Sequence, residues 1–593
     1  MKKIKYLIII VSVMIFASCS EDFLTEKPVD DIFAENLLVN HDGFLNMQNA
    51  MFGLVRDEYD RGDRFYGGTS FGSIPFTKHT LFSAGADNSW GNNRHTNFRH
   101  LSFPKNITDM EDVIPFQAVF EWLYKVINTS NMIISRAEYE GIDWQGSTAE
   151  EDLANKNTVI ANARLVRAWA YRHLTYSFGA VPLSTEEITG SNYRTDWERT
   201  PVADIREVME QDLLYAIAIL PMRTATNTVP SQAVARHYLG ELYLAMGRPE
   251  DAKAVLQPLV EGSEYTLMTA RFGKNAANPG HAFIDLFRSP LYSDGNLEVL
   301  WAFPNIEPEK AASGYSPNSF MRNMWRNYYS SLSDISKLNH PDYPGGTIKL
   351  FWSLNGGKGA GRLAISLGAF NLYKYKDQDA VDVRYDEHSL VWHLYFLNSD
   401  NQVYEVLKNG ASLINLKPNA AMSNDTDPTI KQYNLPSTKK WDYVNPIFEQ
   451  ADADNAYNDI VYLRLAETYL LYSEALFKIG EGGEFWLNKV RERAQVIPIE
   501  ASEMSIDMIL DERSRELITE EHRRHTLIRL SQENGGDERA ASNIFKTRVR
   551  TYNEVSGREV RGMWDDLTPV LLPIPQAFIN SNSGRVISQN PGY

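Results

Sequence analysis

The chain has 593 residues, with 59 lysines and arginines against 76 aspartates and glutamates and a formal net charge of −17. That balance argues against a nucleic-acid partner, because phosphate binding is driven by clustered cationic side chains. With 43% hydrophobic and 23% charged residues, the composition is that of an ordinary globular protein, long enough for one large or two intimate domains.

Lys2, Lys3 and Lys5 precede an apolar run from Leu7 to Phe16 that ends in Ala17, Ser18 and Cys19. A charged start, an apolar stretch and small residues before a cysteine read as a secretory signal peptide over residues 1–18 with a lipoprotein-type end. The run is too short for the roughly 20 apolar residues of a spanning helix. Cys19 is the only cysteine, so no internal disulfide framework can form, and its position marks it for acylation. Buried lipid contributes about 0.8 kcal/mol per methylene, and two or more chains hold a protein stably to a bilayer. Residues 19–29 are then a lipidated tether that anchors the protein without spanning. The acidic Ser20-Glu21-Asp22 is similar to the surface-export signal of some outer-membrane lipoproteins.

Residues 30–264 carry a helical pattern, with stops at Gly179 before Val181-Pro182 and at Gly247 before Pro249. Leu239-Gly240-Glu241-Leu242-Tyr243, followed by Ala252 and Leu256, has the spacing of a tetratricopeptide repeat, although Arg236 stands where that repeat usually has tryptophan. Small residues at Gly240 and Ala252 let two antiparallel helices approach, while Tyr243 and Leu256 fill the gap. Across residues 265–450 the helical period fades into turns such as Pro341 to Gly346 and Asn355-Gly356-Gly357. Strand-like runs at Val299 to Phe303 and Val391 to Leu397 interrupt this loop-rich lobe.

Residues 451–530 return to helical pairs. Leu463, Ala466, Leu470, Ser473 and Phe477 make one seam, and Tyr462, Leu465, Tyr469, Tyr472 and Leu476 a second. Arg464, Glu467, Glu474 and Lys478 leave a polar stripe between them. Two apolar seams require neighbours on two sides, as in a stacked helical solenoid. Residues 531–593 form a C-terminal segment packed on this scaffold. The expected fold is therefore mainly α: a tetratricopeptide-like scaffold of helical pairs supporting an irregular, loop-rich lobe with a few short strands.

Several segments, taken in order, resemble the SusD/RagB family of outer-membrane nutrient-binding lipoproteins. They are the leader through Cys19, Ala163 to Tyr171 with Phe178 to Leu183, Glu298 to Phe303, and Asp382-Val383-Arg384-Tyr385. The helix Asp459 to Leu476, Leu487 to Ala494, Leu572 to Gln576 and the terminal Gln589 to Tyr593 complete the series. The resemblance runs essentially end to end. One departure follows Glu512 to Leu517, where Glu521-His522-Arg523-Arg524-His525-Thr526 replaces a Gly-His-Arg-Trp-Phe-Asp-like stretch. The resemblance implies a tetratricopeptide-like scaffold and a SusC-like TonB-dependent barrel as partner, with the lipoprotein as its lid. It further implies an oligosaccharide or, in some members, a peptide ligand, and no usual cofactor.

Glycan binding needs flat apolar rings for the C–H faces of sugars and polar groups for their hydroxyls. Trp90 with Asn93 and Arg94, and Trp325 with Tyr328 and Tyr329, supply both types, followed by Trp352. Their glycine and polar neighbours place them on loops, where binding residues concentrate. Rings contributing about 0.5–1.5 kcal/mol each, two or three at a time, imply only micromolar to millimolar binding. Trp169 and Trp301 are assigned to the core.

Other constellations carry less. His522 and His525 do not fit H-E-x-x-H and read as a solvated, charged helix end; His95 and His100 lack ligand spacing as well. Gly357 to Arg362 fails the phosphate-loop pattern and reads as a surface loop, and Asp452 to Asn455 lacks the remaining positions of a calcium loop. No G-x-S-x-G is present and the only cysteine is claimed by lipid, so no catalytic nucleophile and no metal site is assigned. Three alternatives stand beside a glycan-binding lid: a peptide-binding protein of the same architecture, an anchored glycoside hydrolase whose carboxylate pair sequence does not reveal, and a purely structural scaffold.

Overall fold

A short helix α1 (Ala34–Leu37) leads to Asn40, whose side chain accepts the Gly43 N–H at 2.9 Å and opens α2 (His41–Arg56). The computed structural model describes residues 34–60, 77–91, 110–305, 320–326, 349–350, 356, 359, 363–377, 381–392, 395–397, 403–405, 437–442, 458–533, 540, 543–552 and 568–593. The leader, Cys19 and the tether lie outside these residues, as do His95, His100 and Asp452 to Asn455.

Helix α3 (Lys78–Ser83), strand β1 (Ser89–Gly91) and the long α4 (Met110–Arg136) come next. Helix α5 (Ala149–Phe178) begins at Thr148, whose hydroxyl accepts the Glu151 N–H, with Glu150, Glu151 and Asp152 at the positive end of the helix dipole. It ends at Gly179, where a φ of +73° suits a residue without Cβ. Helices α6 (Val202–Ile219), α7 (Gln232–Ala245) and α8 (Pro249–Val260) continue the series, each packed on the one before, starting with α5 on α4.

The lobe contributes α9 (Ala282–Arg288), β2 (Val299–Phe303), α10 (Met321–Trp325), β3 (Lys349–Leu350), β4 (Leu363–Ile365), α11 (Leu367–Leu372), β5 (Tyr395–Leu397) and β6 (Val403–Glu405). Strand β7 (Ile460–Arg464) then leads into α12 (Leu465–Lys478), α13 (Glu484–Arg493), α14 (Ile506–Leu517), α15 (Arg523–Gln532), α16 (Ile544–Tyr552) and α17 (Gln576–Ser581). Helix α12 packs against α8, α13 and α14, so the late helices extend the stack begun by the early ones. The protein is thus mainly helical, as the sequence implies. Among the described residues no helix is long and apolar enough to cross a membrane.

The α7–α8 pair has the close approach read from its spacing. A Cβ built on Gly240 would lie 2.5 Å from both Cγ and Cδ2 of Leu256, and Ala252 is fully buried. Gly240→Ala is therefore expected to lower stability by about 1–3 kcal/mol through overpacking, less the ~1 kcal/mol by which alanine favours a helix over glycine. A lowered melting temperature in calorimetry checks this; an unchanged one would mean that Leu256 yields.

Two expectations are corrected. The helix read from Asp459 begins only at Leu465, because Ile460 to Arg464 form β7, antiparallel to β2 with Phe303 opposite Ile460 and Val299 opposite Arg464. Burial of every residue of β7 removes the polar alternation that would have marked it as a strand. Among the described residues of Val391 to Leu397, Val391 and Trp392 are not strand, Tyr395–Leu397 is one, paired with β3 and β6, and Leu390 makes an isolated bridge to Thr438.

Of the polar stripe of the late helices, Arg464 and Glu474 are interior, while Glu467 and Lys478 are half-buried. Arg464 reaches Glu298 at 3.1 Å and Glu520 at 2.7 Å, and also pairs with Glu516. Arg493 meets Glu298 at 3.0 Å and the same Glu516. Arg384 joins Asp382 at 2.8 Å, Glu512 at 2.6 Å and Glu516 at 3.1 Å, and Arg491 joins Glu512 at 2.7 Å. Burial pushes the Glu516 carboxyl up, but Arg493, Arg464 and Arg384 bring it down to about 2. This network ties the lobe segment at 382–384 to α13, α14 and the β2–β7 pair. Glu474 is likewise buried, in an ion pair with Arg529 at 2.6 Å.

Candidate functional site

Strand β1 carries Trp90, and several hydrogen bonds hold that strand in place. Ser89 Oγ donates to Ser83 O at 2.7 Å, Ser366 N to Asn88 O at 2.9 Å, and Ser366 Oγ to Asp87 O at 2.9 Å. Asp87 in turn receives Arg523 at 2.6 Å and Arg548 at 3.0 Å. Burial would raise its carboxyl; Arg523, then Arg548, hold it at about 2. In the antiparallel pairing of β1 with β4, Trp90 stands opposite Ala364.

Helix α10 packs on the same strand β4. Just beyond its end, Arg326 pairs with Asp442 at 2.6 Å. A Cβ on Gly359 would lie 2.1 Å from Arg326 O, and one on Gly356, whose φ is +68°, would lie 2.2 Å from Asp442 Oδ2. Only residues without a side chain fit so close to that pair. Gly356 and Gly359 are buried, so this glycine run, at its described positions, is packed in and is not the surface loop expected. Burial raises the Asp442 carboxyl against the opposing pull of Arg326, Lys439, Arg322 and Arg288, and burial lowers Lys439.

The strand of Trp90 and the helix of Trp325 both pack on β4, and Gly356 and Gly359 lie against the Arg326–Asp442 pair just beyond that helix. The Trp90 side chain lies outside the described residues, as do Asn93, Arg94, Tyr328, Tyr329 and Trp352. Trp325 does not stand on a loop. It is 2% exposed, on a helix whose Met321, Met324 and Trp325 share one face in the core. What sequence reasoning missed is the Arg326–Asp442 pair; its only trace was an arginine directly after a tryptophan, with a Trp441-Asp442 pair far along the chain.

A second concavity lies on the scaffold, among α4, α17 and residues 182–197. This cavity of about 440 Å³ is lined by Phe120, Tyr124, Tyr193, Trp197 and Phe578, within the range of small-ligand sites. Arg194 sits 4.7 Å over the Trp197 ring, and Tyr193 is 67% exposed. Its polar groups already serve the fold: Tyr124 Oη donates to Pro182 O at 2.6 Å, and Asn128 both donates to Ile188 O and accepts its N–H. The groove thus presents mostly apolar surface.

His522 and His525 are not a solvated helix end. Both are buried, at the start of α15, together with His79 of α3, His173 of α5 and the fully buried Glu58. Glu58 Oε1 lies 2.6 Å from His522 Nε2 and 2.8 Å from His79 Nδ1, and Oε2 accepts the Tyr462 hydroxyl at 2.7 Å. His173 Nδ1 lies 2.9 Å from His525 Nε2. Burial pushes the Glu58 carboxyl up, but its contact with His522 and then the hydrogen bond of His79 leave it well below the usual carboxylate range. Burial, above all, pushes His173 and His525 well below the usual imidazole range. His173 and His525 are thus neutral rings close to an ionised carboxylate.

A family model described as the SusD family matches residues 309–593, and one described as starch-binding associating with outer membrane matches residues 71–244. SusD-like protein P2 of Formosa agariphila is 24% identical over 500 residues, which cover 82% of this chain and 83% of that protein. The crystal structure of a SusD homolog from Bacteroides thetaiotaomicron superposes with a TM-score of 0.64 at 20% identity, over 97% of this chain and 100% of the other. Surface glycan-binding protein A from Bacteroides uniformis superposes with a TM-score of 0.62 at 17% identity, over 93% and 100%. Two models of one family that between them span most of the chain, a relative alike over most of its length and an end-to-end match of fold lead to one statement: the chain belongs to the SusD/RagB family.

Proposed function

We propose that this protein is a lipoprotein of the outer membrane, anchored through Cys19 and exposed at the cell surface, that captures oligosaccharide or polysaccharide and delivers it to a SusC-like TonB-dependent barrel without chemical conversion. The observation that carries the reading is that the Trp90 strand and α10 both pack on β4, with Gly356 and Gly359 closed against Arg326 at the end of α10. On this reading Trp90 supplies a stacking face for a sugar ring. The family description, which names starch binding and the outer membrane, and the likeness to a surface glycan-binding protein support the ligand class. Asn93, Arg94, Tyr328, Tyr329 and Trp352 are proposed to complete the surface; Trp325 lies in the core.

Calorimetric titration of the purified protein with starch, laminarin and a wider glycan panel tests the reading. Micromolar to millimolar binding to at least one glycan is expected. Trp90→Ala should weaken it about twofold to tenfold, the equivalent of about 0.5–1.5 kcal/mol for one stacked ring. No glycan binding, with capture of peptides from a protein digest instead, would transfer the site to the peptide reading. Release of reducing sugar would overturn the non-catalytic part. Failure to co-purify with a barrel from detergent-solubilised membranes would remove the delivery step.

A further inference from the structure

We infer that Glu58, His173 and His522 form a buried site for one divalent transition-metal ion, zinc being the ion their donor types suit best. One ligand atom of each residue lies within 4.8 Å of the other two. Around a tetrahedral ion bonded at about 2.0–2.2 Å, ligand atoms stand roughly 3.3 Å apart, so modest side-chain rotation closes the set. Two imidazoles and a carboxylate are a donor set that zinc uses.

The electrostatics favour a cation. Glu58 is fully buried, and among the described residues the groups hydrogen-bonded to it are two histidines and a tyrosine, with no lysine or arginine bonded to the carboxylate. A second, independent observation is the state of His173. Its Nε2 is buried without a hydrogen-bond partner, while its Nδ1 is bonded to His525 Nε2 at 2.9 Å. With the shared proton on His173 Nδ1, the Nε2 lone pair is left for a ligand, and the remote N–H is held as it is in metal-bound imidazoles. Phe82 stacks on His173 at 4.5 Å, and α5 and α15 position the two ligand rings on rigid elements.

Arg172 sets the terms of entry. Its Nη1 donates to His522 Nδ1 at 3.1 Å, which places the His522 proton on Nε2, facing Glu58. An ion at Nε2 moves that proton to Nδ1 and displaces Arg172 Nη1, while Arg172 Nε keeps Glu241 at 2.9 Å. The exchange releases no net proton. His79, whose Nδ1 lies 2.8 Å from the same Glu58 oxygen, is the nearest fourth ligand. An ion held here joins the turn after α2, and with His79 also α3, to α5 and α15, and so steadies the segment that leads into β1 and Trp90.

The test titrates chelator-stripped, purified protein with zinc, and with cobalt(II) for its visible spectrum. One ion per chain is expected, with a tetrahedral nitrogen- and oxygen-ligated cobalt spectrum. His173→Gln and His522→Gln should abolish that equivalent. His525→Gln, which removes only the support behind His173, should weaken it about 10- to 100-fold. His388→Gln, at the half-buried His281–His388 pair whose rings are 5.9 Å apart, should leave it unchanged. Because core variants can fail to fold, crystals of the unaltered protein grown with zinc give a separate answer: an anomalous peak at the zinc edge among Glu58, His173 and His522 is expected. No peak there, or an equivalent that survives both His173→Gln and His522→Gln, overturns the proposal.

Discussion

Replacing Glu516 by alanine is expected to destabilise the protein by about 3–5 kcal/mol, the cost of removing one partner from a buried ion cluster. Glu516 is fully buried and shared by Arg384, Arg464 and Arg493. Its loss leaves Arg464 with Glu298 and Glu520, Arg493 with Glu298 alone, and Arg384 with Asp382 and Glu512. With Arg491 and Arg515 also on Glu512, and Lys440 on Glu520, five guanidiniums and one ammonium then face four carboxylates. Glu516→Gln, which retains one acceptor oxygen, should lose less. Urea denaturation at neutral pH measures both, and a loss under about 1 kcal/mol would show that water or the neighbouring carboxylates compensate. Acid should produce the same weakening more gradually. The Glu516 carboxyl is at about 2 in the fold against about 4.3 unfolded, so its contribution is complete above the unfolded value and fades as pH falls toward 2.

The second large effect lies in a different pH window and comes from His237. This ring is fully enclosed in α7, where its Nδ1 lies 2.9 Å from Thr468 Oγ1 of α12 and its face meets the Tyr238 ring. Burial lowers it to about 3; Glu241 opposes the shift, and Arg172 and Arg513 add to it. Unfolded, the same imidazole takes a proton near pH 6.5. Between those values the unfolded chain binds the extra proton, so stability falls with pH at about 1.4 kcal/mol per unit. By pH 5 the loss from this residue is about 2 kcal/mol. His237→Gln should have a flatter stability profile between pH 6.5 and 5 than the parent, measured by denaturant midpoints; parallel profiles would refute the assignment.

The helical scaffold was legible because its signals are local. Gly240 and Ala252 stand at the spacing at which one helix lets another close on it, and Leu256 fills the space that results. Val299 to Phe303 read as a strand and is one. Residues 460–464 deceived because a short apolar run fits a buried strand and a helix equally well. His522 misled for another reason: its partner Glu58 is 464 positions away, and nothing near either residue advertises the other. Around Trp325 the polar neighbours suggested a loop, yet Arg322, Asn323 and Arg326 are themselves buried. The segments that carried the family resemblance include Glu298, Asp382 and Arg384, Arg464, and Arg491 and Arg493, all members of one interior ion network. Scattered in sequence, they look like unrelated motifs; in space they are one object.

The pairing of β2 with β7 bears on how such a protein could acquire new specificities. The chain departs at Phe303 and comes back at Ile460 directly alongside, so both feet of a long excursion are stapled to the same spot. For a flexible excursion, doubling the length costs only about 0.6 kcal/mol in closure entropy, less than one misplaced core side chain. Insertions or deletions between those feet that spare the segments bound into the helices, such as Asp382 to Arg384 and Lys440, would therefore leave the stacked helices nearly undisturbed, and the rest of the excursion is free to diverge while its chassis stays constant.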